Sequence, residues 1–401
     1  MRTVWTFHSA VQIMFGRDAV KQLGDIATRL RAKKALIVTD PILEKAGLLE
    51  RTRQPLVAAD LNVTAFTGGE PEPSMRAAVA CYDMAKAVQP EVLIGVGGGS
   101  NMDLAKLAAT LLKHGGNPRD YVGDDKIPGP IFPLICVPTT AGTGSEVSAA
   151  SVVTDTENHI KVGILSNWLR SNAAVVDPLL TLSCPPKVTA DSGIDALTHA
   201  IEAYTAIDNA DFPLPSGERS VYQGKHPLGD LCAEKAITLV GKYLRRAVND
   251  GHDLDAREGM ALAALLAGLA FSNVGVALVH AMEYPVGGAV HCSHGAGNGL
   301  LLPYVMRFNL PAKLRAYAEI ARMLGENVTG SSERAAADKA VAAVEKLRND
   351  IGVPQRLRDV GVKPEQLRTL AEKAAGIKRI LRVNPRSVTV DDIEGIFKDA
   401  Y

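Results

Sequence analysis

Short apolar runs alternate with amphipathic segments along the first part of the chain. Residues 34–40 (KALIVTD), 63–66, 92–96 (VLIGV) and 131–137 (IFPLICV) are apolar runs bounded by turn residues, and each reads as a buried strand. Between them, residues 73–88 and 102–113 place apolar side chains at the 3.6-residue helical period. Strand and helix taken in turn predict βαβ units and a mostly parallel sheet covered on both faces. After Pro185-Pro186 the texture changes. Segments 190–204, 230–249, 257–271, 314–324, 334–350 and 364–375 are rich in Ala, Leu, Glu and Lys, and Gly, Pro or Asn breaks separate them. The expected organisation is an α/β domain over residues 1–182 and an all-helical domain over 183–401. Residues 208–229, rich in Pro, Gly and charge, form a loop long enough inside a compact domain to call for a function or mobility.

Residues 261–282 test this picture, because only Ser272, Asn273 and His280 interrupt an apolar run close to the about 20 residues that span a bilayer. Gly268, Gly275 and flanking charges fit buried helices better, so no membrane role is expected. The 44 basic residues balance 44 acidic ones, which removes the charge excess of a general nucleic-acid binder. Five scattered cysteines, none in a CxxC pair, argue against a disulfide framework or a zinc ribbon. With no signal-peptide pattern at the N-terminus, these features point to the cytoplasm.

Three constellations carry candidate chemistry. In GVGGGS (95–100), four of six residues are glycine, and the segment follows a strand and opens a helix. Gly97, Gly98 and Gly99 let backbone N–H groups approach a pyrophosphate at a helix N-terminus, although the pattern is neither GxGxxG nor a Walker loop. PTTAGTGSE (138–146) also follows a strand and offers hydroxyls and amides for phosphate or ribose oxygens. Asp40, ending an earlier strand, reads either as a helix cap or as a ribose acceptor that favours NAD over NADP. Asp195 and His199 stand at i and i+4 on one helix face, a spacing that serves an ion pair or a shared divalent ion. With His280 and His294, out of nine histidines in all, they favour a metal site.

GGGSNMDLAK, PTTAGTGSE, DALTHAIEAY and His280 followed by His294-Gly295 occur in one order along nearly the whole chain, which thereby resembles the iron-dependent (group III) alcohol dehydrogenase family. The resemblance implies a dinucleotide-binding α/β domain, a helical metal domain and a catalytic cleft between them. It assigns metal ligation to Asp195, His199, His280 and His294. It assigns cofactor binding to Asp40, Gly97, Gly98, Gly99, Ser100, Asp103, Thr139, Thr140, Thr143 and Lys161. The implied reaction moves a hydride between a primary alcohol or hydroxyacid and NAD, with a divalent ion polarising the substrate oxygen. One oxygen and three nitrogen ligands suit Fe(II), Zn(II), Co(II) or Ni(II) without choosing among them, and the resemblance implies Fe(II) first, with Zn(II) possible. A homo-oligomer, dimer or larger, is expected.

Many members carry a histidine four residues after the third ligand, where this chain has Tyr284. A phenol titrates near ~10 and cannot simply replace an imidazole in a proton path, so either Tyr284 or His291 takes that role. Cys292 reads as a buried thiol. The stretch 208–230 is similar to the hydroxyacid–oxoacid transhydrogenase branch, whose members keep their nicotinamide bound. Glycerol dehydrogenase-like and maleylacetate reductase-like readings suit this ligand set less well, and a non-catalytic nucleotide- and metal-binding protein is the alternative of another class.

Overall fold

The computed structural model describes residues 2–157 and 160–401. Five apolar runs and one less apolar one form a parallel six-stranded sheet: β1 (Gln12–Phe15), β2 (Lys34–Val38), β3 (Asn62–Phe66), β4 (Val92–Gly97), β6 (Leu134–Pro138) and β9 (Ala173–Val176). Their order across the sheet is β1-β9-β6-β4-β2-β3, and every pairing is parallel. Because side chains alternate along a strand, Leu36, Val38, Leu93 and Leu134 pack one face. Ala35, Ile37, Ile94 and Ile135 pack the other. Helices α1 (Leu23–Arg29), α2 (Pro41–Lys45), α3 (Leu48–Ala58), α4 (Met75–Val88) and α5 (Gly99–His114) connect the strands. A second sheet joins β5 (Gly123–Asp124) to the antiparallel pair β7 (Ala150–Asp155) and β8 (Ile160–Leu165).

The chain from Pro185 is helical: α6 (Pro186–Thr205), α7 (Pro227–Asn249), α8 (Leu254–Val274), α9 (Leu278–Val290), α10 (His294–Asn309), α11 (Leu314–Met323), α12 (Glu333–Asp350), α13 (Leu367–Ala375), α14 (Lys378–Leu381) and α15 (Val390–Asp399). The apolar run at 261–282 is two helices, not one. Gly275, at φ 126°, ends α8, and α9 leaves at 103° to it. Both are largely buried, and among the described residues no single helix is long and apolar enough to cross a membrane.

Two compact units result: residues 8–184 with 219–221, and residues 185–218 and 222–401 with the first seven. The N-terminal arm therefore joins the helical unit, which no local pattern announces. Trp5 stacks on His226 with ring centroids 4.8 Å apart. The Thr6 N–H donates to Gln223 Oε1 at 2.9 Å, and Gln223 Nε2 donates back to the Thr6 carbonyl. Gly224, at φ 80°, sits where a Cβ would fall 2.8 Å from the Ile207 carbonyl. The long loop is thus the seat of the arm, and these contacts account for its Gln223-Gly224 motif in structural terms.

Candidate metal centre and cofactor loops

Helix α6 is buried along almost its whole length from Thr189 onward, so its polar side chains meet partners rather than water. Asp195, His199 and Glu202 share one face at helical spacing. The Glu202 carboxylate, itself buried, accepts three hydrogen bonds: from Ala277 N–H (2.9 Å), Val279 N–H (2.7 Å) and His280 Nδ1 (2.6 Å). One carboxylate therefore fixes both the start of α9 and the tilt of the His280 ring. Three residues further along α9, the fully buried Glu283 accepts from His294 Nδ1. Helix α10 begins at His294 and presses on α6 so closely that a Cβ on Gly295 would lie 2.0 Å from the Asp191 carbonyl.

These contacts fix the tautomers. With Nδ1–H given to a carboxylate, His280 and His294 each turn a lone pair on Nε2 inward, the arrangement a metal-ligating histidine needs. Asp195, His280 and His294 each offer one donor atom, all within 4.8 Å of one another. Burial works to raise the Asp195 carboxyl, but His199, His294, His280 and the Asn298 amide together hold it below the usual carboxylate range. One anionic oxygen and two inward lone pairs, on two buried residues and one half-buried, fit a divalent ion.

His199 stands beside this cluster. Its ring stacks on Phe271 (4.2 Å) and on His280 (4.7 Å), and its Nδ1 lies 3.9 Å from Asp195 Oδ2. The Tyr284 ring lies 5.9 Å from that of His294. His291 is exposed and ends α9 at φ 53°, and Cys292 is half-buried. Glu202, Glu283 and Asn298 are the residues that sequence reasoning missed. Each lies three or four positions after a recognised histidine, on its helix face.

In the α/β unit the two glycine-bearing loops lie against each other. The Thr139 N–H donates to the Gly97 carbonyl at 2.9 Å, and a Cβ on Gly99 would fall 2.9 Å from Thr143 Cγ2. Gly97, at φ 147°, has no room for a side chain beside Asn101. Thr139 is buried and Thr140 half-buried. Asp40 Oδ1 caps α2 through the Ile42 and Leu43 N–H groups, and its Oδ2 accepts from Asn101 Nδ2 at 2.7 Å. Ser100 Oγ donates to the Pro71 carbonyl at 2.5 Å. Asp103 accepts from Ser145 Oγ (2.6 Å) and Val152 N–H (2.9 Å), which anchors the second loop to α5. Lys161 pairs with Glu72 at 2.7 Å. Beneath the loops the wholly buried Lys106 ammonium donates to Ser145, Ser148 and Ala150 oxygens at 2.8–3.1 Å.

A parallel sheet with glycine-bearing loops and a helical carboxylate–histidine cluster stand in one chain, and the comparisons give the class that combines them, an alcohol-oxidising enzyme family. Residues 10–178 match the family described as iron-containing alcohol dehydrogenase, and residues 218–401 match the C-terminal region of the Fe-containing alcohol dehydrogenase family. The NAD-dependent methanol dehydrogenase of Bacillus methanolicus is 38% identical over 96% of this chain and 97% of its own length. The 1,3-propanediol dehydrogenase of Klebsiella pneumoniae is 39% identical, covering 96% of each. A solved 1,3-propanediol oxidoreductase superposes with a TM-score of 0.93 at 38% identity, over 99% of this chain and 100% of that one. The chain belongs to the iron-containing alcohol dehydrogenase family.

Proposed function

We propose that this protein oxidises primary alcohols to aldehydes with NAD, using one divalent ion held by Asp195, His280 and His294 with His199 as the fourth ligand. The observation that carries the reading is the cluster of three donor atoms within 4.8 Å, two of them on imidazoles whose outer nitrogens are tied to buried carboxylates. When bound, a divalent ion supplies Lewis acidity to the substrate oxygen, and the nicotinamide accepts the hydride. The protein's share is preparation. Glu202 and Glu283 hold two rings in the ligating tautomer. Backbone N–H groups of residues 97–100, at the N-terminus of α5, suit a pyrophosphate, with Thr139, Thr140 and Thr143 beside them. The family resemblance gives Lys161 a part in binding the cofactor. Asp40, beside these loops, is the acceptor that favours a ribose hydroxyl over a 2′-phosphate. Tyr284, next to His294, is the proton-handling group of this reading. The protein acts in the cytoplasm as a dimer or larger assembly, readings that rest on the cysteine pattern and on the family resemblance.

The test is a screen of the purified protein, supplied with Fe(II) or Zn(II), against short primary alcohols and hydroxyacids. NADH formation with primary alcohols is expected, and His294→Ala should abolish it while cofactor binding persists. Activity that survives with no bound metal would overturn the reading. Turnover of a hydroxyacid–oxoacid pair without added NAD would replace it by transhydrogenation.

A further inference from the structure

Asn298 lies one turn beyond His294 on α10 and is fully buried. Its Nδ2 stands 2.7 Å from Asp195 Oδ1, 3.1 Å from His294 Nε2 and 3.2 Å from His280 Nε2. A carboxamide nitrogen carries two protons, so three acceptors from α6, α9 and α10 share them. At the other end of the group, Asn298 Oδ1 is buried and meets no hydrogen-bond donor. An asparagine that serves only to pack helices satisfies both ends of its amide. This one spends its donors on the three members of the metal cluster and leaves its oxygen unpaired.

We propose that Asn298 is a positioning residue of the metal centre: its amide fixes the Asp195 carboxylate and keeps the two Nε2 lone pairs aimed at one point, and it yields those lone pairs when an ion takes them. The cost of assembling the donors is then met by the fold rather than by the incoming ion. The inference rests on the metal reading above. Asn298→Leu removes the amide at similar volume. Loss of such an outer partner lowers metal affinity by about 10–100-fold, and that fall is expected here for Zn(II) and Co(II) in chelator competition. The variant also leaves the buried Asp195 carboxylate without this donor, so the metal-free protein should melt lower, and affinity is read on protein shown to be folded.

Asn298→Asp keeps the volume but sets a second carboxylate where the amide stands 2.7 Å from Asp195 Oδ1, so circular dichroism first checks that the variant folds. The visible band of its Co(II) form should shift in energy and intensity from that of the wild type. Affinities of both variants within about twofold of wild type, with an unchanged cobalt band, would overturn the proposal. Metal binding by the wild-type protein is the control. If the wild type binds no Co(II) or Zn(II), the metal reading falls and takes this inference with it. If it binds and the variants match it, only the role of Asn298 falls.

Discussion

Glu202→Gln is the sharpest probe of how the helical unit prepares its histidines. The carboxylate takes two donors on Oε2, from Ala277 N–H and His280 Nδ1, and one on Oε1, from Val279 N–H. A glutamine has one acceptor oxygen. Turned to keep the first two bonds, it sets its NH₂ against the Val279 N–H, so one bond is lost and two donors face each other in a buried space. A hydrogen bond to a charged group contributes about 1.5–3 kcal/mol, and an unsatisfied buried donor costs about 1–3 kcal/mol. The metal-free protein should therefore lose about 2–4 kcal/mol in guanidinium unfolding. The remaining bond to His280 is no longer charge-assisted, which loosens the ring and weakens metal binding by about tenfold or more. Unfolding of the metal-free protein and chelator competition with Zn(II) read the two effects separately. A variant as stable as wild type, with the same metal affinity, would show that Glu202 neither starts α9 nor holds His280.

Burial pushes the Glu146 carboxyl up to about 7. The folded state then disfavours its ionised form, so the glutamate's contribution to stability is fullest below about pH 4 and is lost as the pH rises to about 7. Glu146→Gln should exceed wild type by about 3 kcal/mol at about pH 8 and match it near about pH 4. Equal urea midpoints at both pH values would refute this. Asp40→Ser keeps an oxygen to cap α2 but removes the charge. The kcat/KM ratio for NADP over NAD should rise by about tenfold, and an unchanged ratio would take Asp40 out of the ribose site.

What could be read from the sequence was what lies close along it. Asp195 and His199 declare themselves by helical spacing, and the runs at 34–38 and 92–97 by continuous apolar character. The strand expected at 131–137 starts later, at Leu134, because Pro133 ends an irregular approach to it. Glu202 and Glu283 carried the same spacing signal as the ligands. A carboxylate on a helix reads as a solvated face, however, until the packing of α9 and α10 against α6 shows it buried. The orientation of His199 depends on Phe271, which lies more than seventy positions away, and so has no local signature. The partners of Asp103 and Lys106 in residues 145–152 have none either.

The backbone passes from one unit to the other after residues 7, 184, 218 and 221. No single scission can therefore separate them. A fragment starting at Pro185 would lack the strand of chain that lays Trp5 against His226, and one ending at Cys184 would carry that strand away with the wrong partner. Anyone wishing to study either half alone would have to graft the opening heptapeptide onto the helical piece.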